Sequence, residues 1–164
     1  MTRDVDLALA VKDDREAERV ITNLVARGYR VRALVEQEAS GRLATARLTR
    51  GHADASIVDR LFASSGVEQE LVAAADIVEI VPTVTVPLAT VGFLMALKLL
   101  ARDDRKRPQD ADDLRALLEV ATPRDKAQCA EAIGLIAARG YARGRDLVAA
   151  WAEYLNIDGL GGKS

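Results

Sequence analysis

Cysteine and histidine are almost missing from this chain of 164 residues, which has one of each, Cys129 and His52. A pair this far apart in sequence offers neither zinc-ligand spacing nor a cysteine-histidine dyad. A lone thiol also excludes a disulfide framework. With no basic-then-apolar leader pattern at the start, the expected setting is the reducing cytoplasm. Aromatic residues make up only 4% against 49% hydrophobic residues, so the core must be filled chiefly by Ala, Leu and Val. Long apolar runs are absent too. The longest, Val91 to Ala101, is well short of the roughly 20 residues a membrane helix needs and is broken by Lys98, which predicts a buried helix and no membrane partner. Neither sign of charge dominates. With 23 Lys and Arg against 25 Asp and Glu, the net charge of -2 gives no global attraction to a polyanion, so nucleic acid would require a local basic patch.

The patterning that is present predicts an α/β chain of the α+β kind, with a sheet core over residues 1–86 and a helical part over 87–164 packed on it as one compact unit. Val5, Leu7, Leu9 and Val11 alternate on a first strand, and Asp13 or Asp14 is placed to cap a helix that Gly28 ends. Tyr29, Val31, Ala33 and Val35 alternate with Arg30, Arg32 and Leu34 on a half-buried strand. Strands are expected at 43–48 and 56–63 around the Gly51-His52-Ala53-Asp54 loop, and a short helix at 67–75. Residues 77–86 read as one edge or bulged strand interrupted by Pro82, giving a small mixed sheet of about five strands. Pro87 is placed to open a helix reaching Leu99, and helices follow at 110–120, 123–138 and 144–156 as a C-terminal bundle.

Asp4 and Asp6 stand two apart on the first strand, so the period of two puts both carboxylates on one face, opposite its apolar set. Hard oxygen donors on rigid backbone suit Mg²⁺. Asp59 interrupts the apolar run Ile57-Val58-Asp59-Arg60-Leu61-Phe62, where an unpaired charge is costly, and predicts a partner: a metal shared with Asp4 and Asp6, or Arg60 or Arg47. Lys98 must carry its stem across apolar surface before its ammonium meets solvent or an anion. Asp110 and Asp113 share a face of the next helix and are spaced to pair with or orient it, whether as a triphosphate site or as an ion pair tying two helices. Arg102, Arg105, Lys106 and Arg107 form one basic loop and Arg139, Arg143 and Arg145 another, candidates for gripping a polynucleotide or simply solvated charge. The C-terminal helix offers Leu147, Val148, Trp151, Tyr154 and Leu155 on one face, for packing or for a partner protein.

Thr2-Arg3-Asp4-Val5-Asp6-Leu7, then Ile57 through Glu68, then Leu97-Lys98-Leu99-Leu100 with Arg107-Pro108-Gln109-Asp110-Ala111-Asp112-Asp113-Leu114, resemble in order and spacing the nucleotidyltransferase toxins of the AbiEii and MenT type. The resemblance covers about two thirds of the chain. It implies a polymerase-β-like nucleotidyltransferase core in which Asp4, Asp6 and Asp59 hold Mg²⁺ and are catalytic, Asp59 helping to deprotonate the attacking 3′-hydroxyl. It also implies that Lys98 and Asp113 act in catalysis and, with Thr2 and Asp110, in binding the nucleoside triphosphate. The implied activity is that of a toxin which adds nucleotides, commonly pyrimidines such as those of CTP, to the 3′ acceptor end of tRNA; by its own charge pattern the basic loop of Arg102, Arg105, Lys106 and Arg107 is the candidate grip on that tRNA. Translation stops as a result, and a cognate antitoxin neutralises the toxin. Thr2 matches a hydroxyl position open to antitoxin-directed phosphorylation.

Two departures bear on that expectation. The family carries a Gly-Gly or Gly-Ser turn about ten residues before the first acid, whose amides cradle the triphosphate; this chain starts downstream of it, so either the natural protein is longer or nucleotide binding is impaired. Asp59 is followed by Arg60 where an apolar residue is usual. Two other readings use the same residues: transfer to a small molecule such as an aminoglycoside, and a non-catalytic relict that only binds its antitoxin.

Overall fold

Strand β1, Asp4–Ala8, lies at one edge of a four-stranded sheet whose order is β1-β4-β3-β2, with β2 at Tyr29–Glu36, β3 at Leu43–Arg50 and β4 at Ile57–Leu61. β1 runs parallel to β4 and the other pairings are antiparallel. The computed structural model describes residues 4–37, 41–50, 57–102 and 109–161. The β1 to β4 connection includes helix α1, Asp14–Ala26, which Asp13 caps by accepting from the Glu16 amide at 2.9 Å. Gly28, with φ +89, follows the helix in the left-handed region that glycine occupies without penalty.

One face of the sheet packs against α1. Leu9, Val11, Leu43, Ala46 and Phe62 meet Ala17, Val20 and Ile21 there, and Ala17 and Ala46 are fully buried, which lets helix and sheet approach closely. Leu7, expected in this core, is instead 38% exposed. A bulge changes the strand after α1 as well. In β2 the register jumps from Val31 opposite Leu48 to Ala33 opposite Arg47, so one residue is inserted at Arg32. The expected alternation therefore breaks: Ala33 and Val35 fall on the face of Arg30 and Arg47, and Leu34 moves to the face of Val31.

The segment read as one interrupted strand is a hairpin. β5, Asp76–Val81, and β6, Val84–Leu88, pair antiparallel as a separate ribbon, so the expected sheet of about five strands is a sheet of four and a ribbon of two. Pro82 and Thr83 make the turn, Thr83 at φ 71 in the position glycine usually fills, and the Thr83 amide donates to Glu79 Oε1 at 2.8 Å. Pro87 thus belongs to β6 opposite Ile77, and the following helix begins later, at Val91.

The chain divides into two compact units, residues 1–73 and 74–164. The first holds the sheet, α1 and α2, Glu68–Ala73; the second holds the ribbon and helices α3, Val91–Ala101, α4, Gln109–Val120, α5, Pro123–Ala138, and α6, Leu147–Gly161. Met95, Leu99, Leu114, Ile133, Ile136 and Leu147 are essentially inaccessible and form the helical core. Cys129 is buried among them, and burial pushes its thiol up to about 12, so it is a core residue and not a nucleophile. Thr122 and Asp125 cap α5 reciprocally around Pro123. Arg145, one of the arginines of the second basic loop, spends Nη1 on the C-terminal end of α3, donating to the carbonyls of Leu99 at 3.0 Å, Leu100 at 3.2 Å and Arg102 at 2.9 Å.

α3 and α5 touch through Gly92. A Cβ there would stand 2.7 Å from the Asp125 carbonyl oxygen and 2.6 Å from Gln128 Oε1. Gly92→Ala therefore costs about 1–3 kcal/mol despite alanine's better helix propensity, because backbone must move. A fall in the thermal midpoint of several degrees, about 2–4 °C per kcal/mol, checks this.

Candidate functional site

Asp6 of β1 and Asp59 of β4 are direct partners in the parallel ladder, so their side chains leave the same face of the sheet one strand spacing apart, roughly 5 Å. On the antiparallel side Asp59 is opposite Arg47. The row Asp6, Asp59, Arg47 thus crosses three strands at one level, on the face turned away from α1. Two carboxylates this close repel by about 3 kcal/mol at an effective dielectric constant of 20, which neither a core nor a random surface favours.

Arg47 pairs with Asp59. Its Nε donates to Asp59 Oδ1 at 2.9 Å and its Nη2 to Oδ2 at 2.7 Å, a forked pair in which the Asp59 side chain is 12% exposed and that of Arg47 49%. Of the partners weighed for Asp59, the structure supplies Arg47. Arg60 leaves the opposite face, level with Leu7 and Ala46; burial draws its guanidinium below the ordinary value, partly offset by Tyr29. Asp6 is exposed. Asp4 precedes it on β1 with its backbone opposite Ile57, and its side chain lies outside what the structure describes. Among the described residues no group of three or more His, Cys, Asp or Glu is arranged to hold a metal.

A loop braces the end of β4. Glu68, only 6% exposed, collects four donors on Oε1: the amides of Ser64 at 2.8 Å and Ser65 at 2.7 Å, and their hydroxyls at 3.0 and 2.9 Å. This clamp fixes the chain between β4 and α2, and with it the strand that carries Asp59. Sequence reasoning missed it, although Ser-Ser-Gly-Val-Glu with an acid at the helix start is its signal.

In the helical unit, Lys98 of α3 meets both acids of α4. Its Nζ donates to Asp113 Oδ2 at 2.7 Å and to Asp110 Oδ1 at 3.2 Å. The two acids differ in depth: the Asp110 side chain is 5% exposed and that of Asp113 51%. Asp110 Oδ2 is buried with no hydrogen-bond partner, an orphan acceptor of the kind that costs about 1–3 kcal/mol. Burial pulls Lys98 down, but the hydrogen bonds and charges of Asp113 and Asp110 together outweigh it and hold the ammonium above its ordinary 10.5. The pairing thus contributes full stability below pH 10.5 and loses it as pH rises through the higher folded value. A nitrogen-detected titration of the Lys98 ammonium is expected to show its midpoint above 10.5; a midpoint at or below it removes this account.

Of the basic-loop candidates, Arg102 stacks its guanidinium 5.3 Å from the centroid of the Tyr154 ring. Arg105, Lys106 and Arg107 lie outside the described residues, as does Thr2. Among the described residues no helix is long and apolar enough to cross a membrane. Set against models of known protein families and against curated proteins, the sequence matches none.

Proposed function

We propose that this protein is a Mg²⁺-dependent nucleotidyltransferase with a polymerase-β-like core, which adds nucleotides, pyrimidines foremost, to the 3′ acceptor end of tRNA. The observation that carries the reading is the register of Asp6 with Asp59 on neighbouring parallel strands. A divalent ion gives a purpose to two repelling carboxylates at one level, and carboxylate oxygens are the donors that Mg²⁺ prefers. The residues fit such an ion: Asp6 is open to solvent, and the Arg47 fork leaves Asp59 further lone pairs, since a carboxylate offers about four acceptor positions. Asp4, two residues before Asp6, is assigned as the third ligand.

When bound, Mg²⁺ would neutralise charge building on the phosphates and orient attacking and leaving oxygens. The chain supplies the rest. Asp59 accepts the proton of the attacking 3′-hydroxyl at a lone pair that the Arg47 fork leaves open, as that oxygen bonds to the α-phosphorus of the nucleoside triphosphate and pyrophosphate leaves. From the sequence resemblance, not from the placement of the helical unit, we assign Lys98 to the phosphates of the nucleotide; within that unit Asp110 and Asp113 orient the lysine and hold its proton more firmly. From the sequence resemblance we further propose that the protein acts as a toxin in the cytoplasm, halting translation, and that a cognate antitoxin is its protein partner.

The test is incubation with tRNA, Mg²⁺ and each labelled nucleoside triphosphate in turn. Label is expected at the tRNA 3′ end with one or both pyrimidine nucleotides. Absence of incorporation from all four, by folded protein, contradicts the reading.

A further inference from the structure

The face of the sheet that carries Asp6 and Asp59 changes sign along its width. From β1 to β2 it presents Asp6, Asp59, Arg47 and then, on β2, Arg30 opposite Thr49 and Ala33 opposite Arg47. Arg32, at the bulge, joins them: its Nε donates to Thr49 Oγ1 at 3.2 Å, and Thr49 is buried, so the hydroxyl fixes the plane of the guanidinium. That bond uses Nε and leaves both terminal nitrogens of Arg32 without a partner among the described residues, on an exposed side chain. Arg30 is exposed and makes no hydrogen bond or ion pair among the described residues. The described residues sharing this face on β2 and β3 include no acid. Three arginines therefore form a strip beside two carboxylates, all within the first compact unit.

Resting on the nucleotidyltransferase reading above, we propose that this strip, Arg30, Arg32 and Arg47, is the seat of the sugar-phosphate backbone of the acceptor polynucleotide, leading its 3′ end to Asp59 and Asp6. The charge pattern selects this occupant. A polynucleotide ends at its 3′ side in an uncharged hydroxyl with anionic phosphates trailing behind, which matches acids at one end of the strip and arginines at the other. An acidic peptide has no such neutral terminus and meets repulsion from the two carboxylates. The reach fits as well: three strand spacings span roughly 14 Å, about four nucleotides stacked at 3.4 Å each. Guanidinium forks bind phosphate through two parallel hydrogen bonds, and a fork held in plane by Thr49 loses less freedom on doing so.

The experiment measures binding of a short single-stranded RNA with a free 3′-hydroxyl by fluorescence anisotropy across a salt series, without nucleoside triphosphate. Three folded proteins are compared: wild type, Arg30→Ala/Arg32→Ala, and the control Arg15→Ala/Arg19→Ala, which removes the same charge from exposed positions on α1, on the other face of the sheet. The strip variant is expected to bind at least about tenfold more weakly and to lose about 1.4 from the salt slope, at about 0.7 for each phosphate contact with a single strand. The control is expected to stay near wild type. Equal affinity of strip variant and wild type overturns the proposal, as does equal weakening by the control or preference for an acidic peptide over the RNA. Arg30→Ala alone, which removes no internal contact, keeps the test valid if the double variant unfolds. RNA binding that depends on the strip in a protein without transfer activity separates failure of the catalytic reading from failure of this one.

Discussion

Asp6→Asn is expected to reduce nucleotide incorporation into tRNA by at least about 10³-fold, equivalent to losing about 4 kcal/mol of transition-state stabilisation. The same substitution is expected to leave the thermal midpoint nearly unchanged, within about 2 °C. Both parts follow from one geometry. Asp6 is exposed and in register with Asp59, so Asn keeps its shape and removes like-charge repulsion while taking away an anionic donor. Exposed substitutions of this kind usually change stability by no more than about 0.5 kcal/mol. Incorporation assays beside a thermal melt check the pair. Retained activity removes Asp6 from the mechanism, and a large fall in the midpoint assigns it a structural role instead.

Arg47→Ala is expected to behave in the opposite way, as a stability mutant whose defect divalent metal repairs. The substitution strips all three Arg47 hydrogen bonds from a carboxylate that is 12% exposed and leaves its charge beside Asp6 without its arginine. A cost of about 2–3 kcal/mol follows, below the figure for a fully buried pair because Arg47 itself is half exposed. The thermal midpoint should fall by about 5–10 °C. Mg²⁺ at about 100 times its dissociation constant returns about 2.7 kcal/mol to a state that binds it, so the variant should gain more from Mg²⁺ than wild type, whose Asp59 is already paired. Thermal melts with and without Mg²⁺, with Ca²⁺ and monovalent salt as controls, read this directly. An Arg47→Ala midpoint that responds to Mg²⁺ no more than wild type contradicts the metal assignment.

The individual charged residues were legible in the sequence because a charged side chain is conspicuous where the pattern calls for an apolar residue. Asp59 announces itself this way within Ile57-Val58-Asp59, and Lys98 does so within Leu97-Lys98-Leu99. Which partner each takes was not legible to the same degree. Arg47 and Arg60 are equally plausible for Asp59 until the register of β3 against β4 decides which face each occupies. Asp110 and Asp113 look alike on a helical wheel, yet only the packing of α4 on α3 buries one and exposes the other. The β5–β6 hairpin was hidden by its turn chemistry. Pro82 reads as a strand interruption, and Thr83 stands at a positive φ where glycine would have marked a turn. The bulge at Arg32 leaves no sequence mark, since Arg, Ala and Leu all suit a strand, and it alone reverses the faces of Ala33, Leu34 and Val35. The Arg145 contact with the end of α3 spans more than forty residues, beyond any local pattern.

Paramagnetic broadening by Mn²⁺ in place of Mg²⁺ tests most directly whether the two aligned carboxylates form a metal centre. Added at substoichiometric levels to isotope-labelled protein, Mn²⁺ should broaden the backbone amides around Asp6 and Asp59 first, with β2 and α1 affected later, and Asp6→Asn should abolish the selectivity. Uniform broadening across surface acids, or selective broadening that spares β1 and β4, contradicts the account.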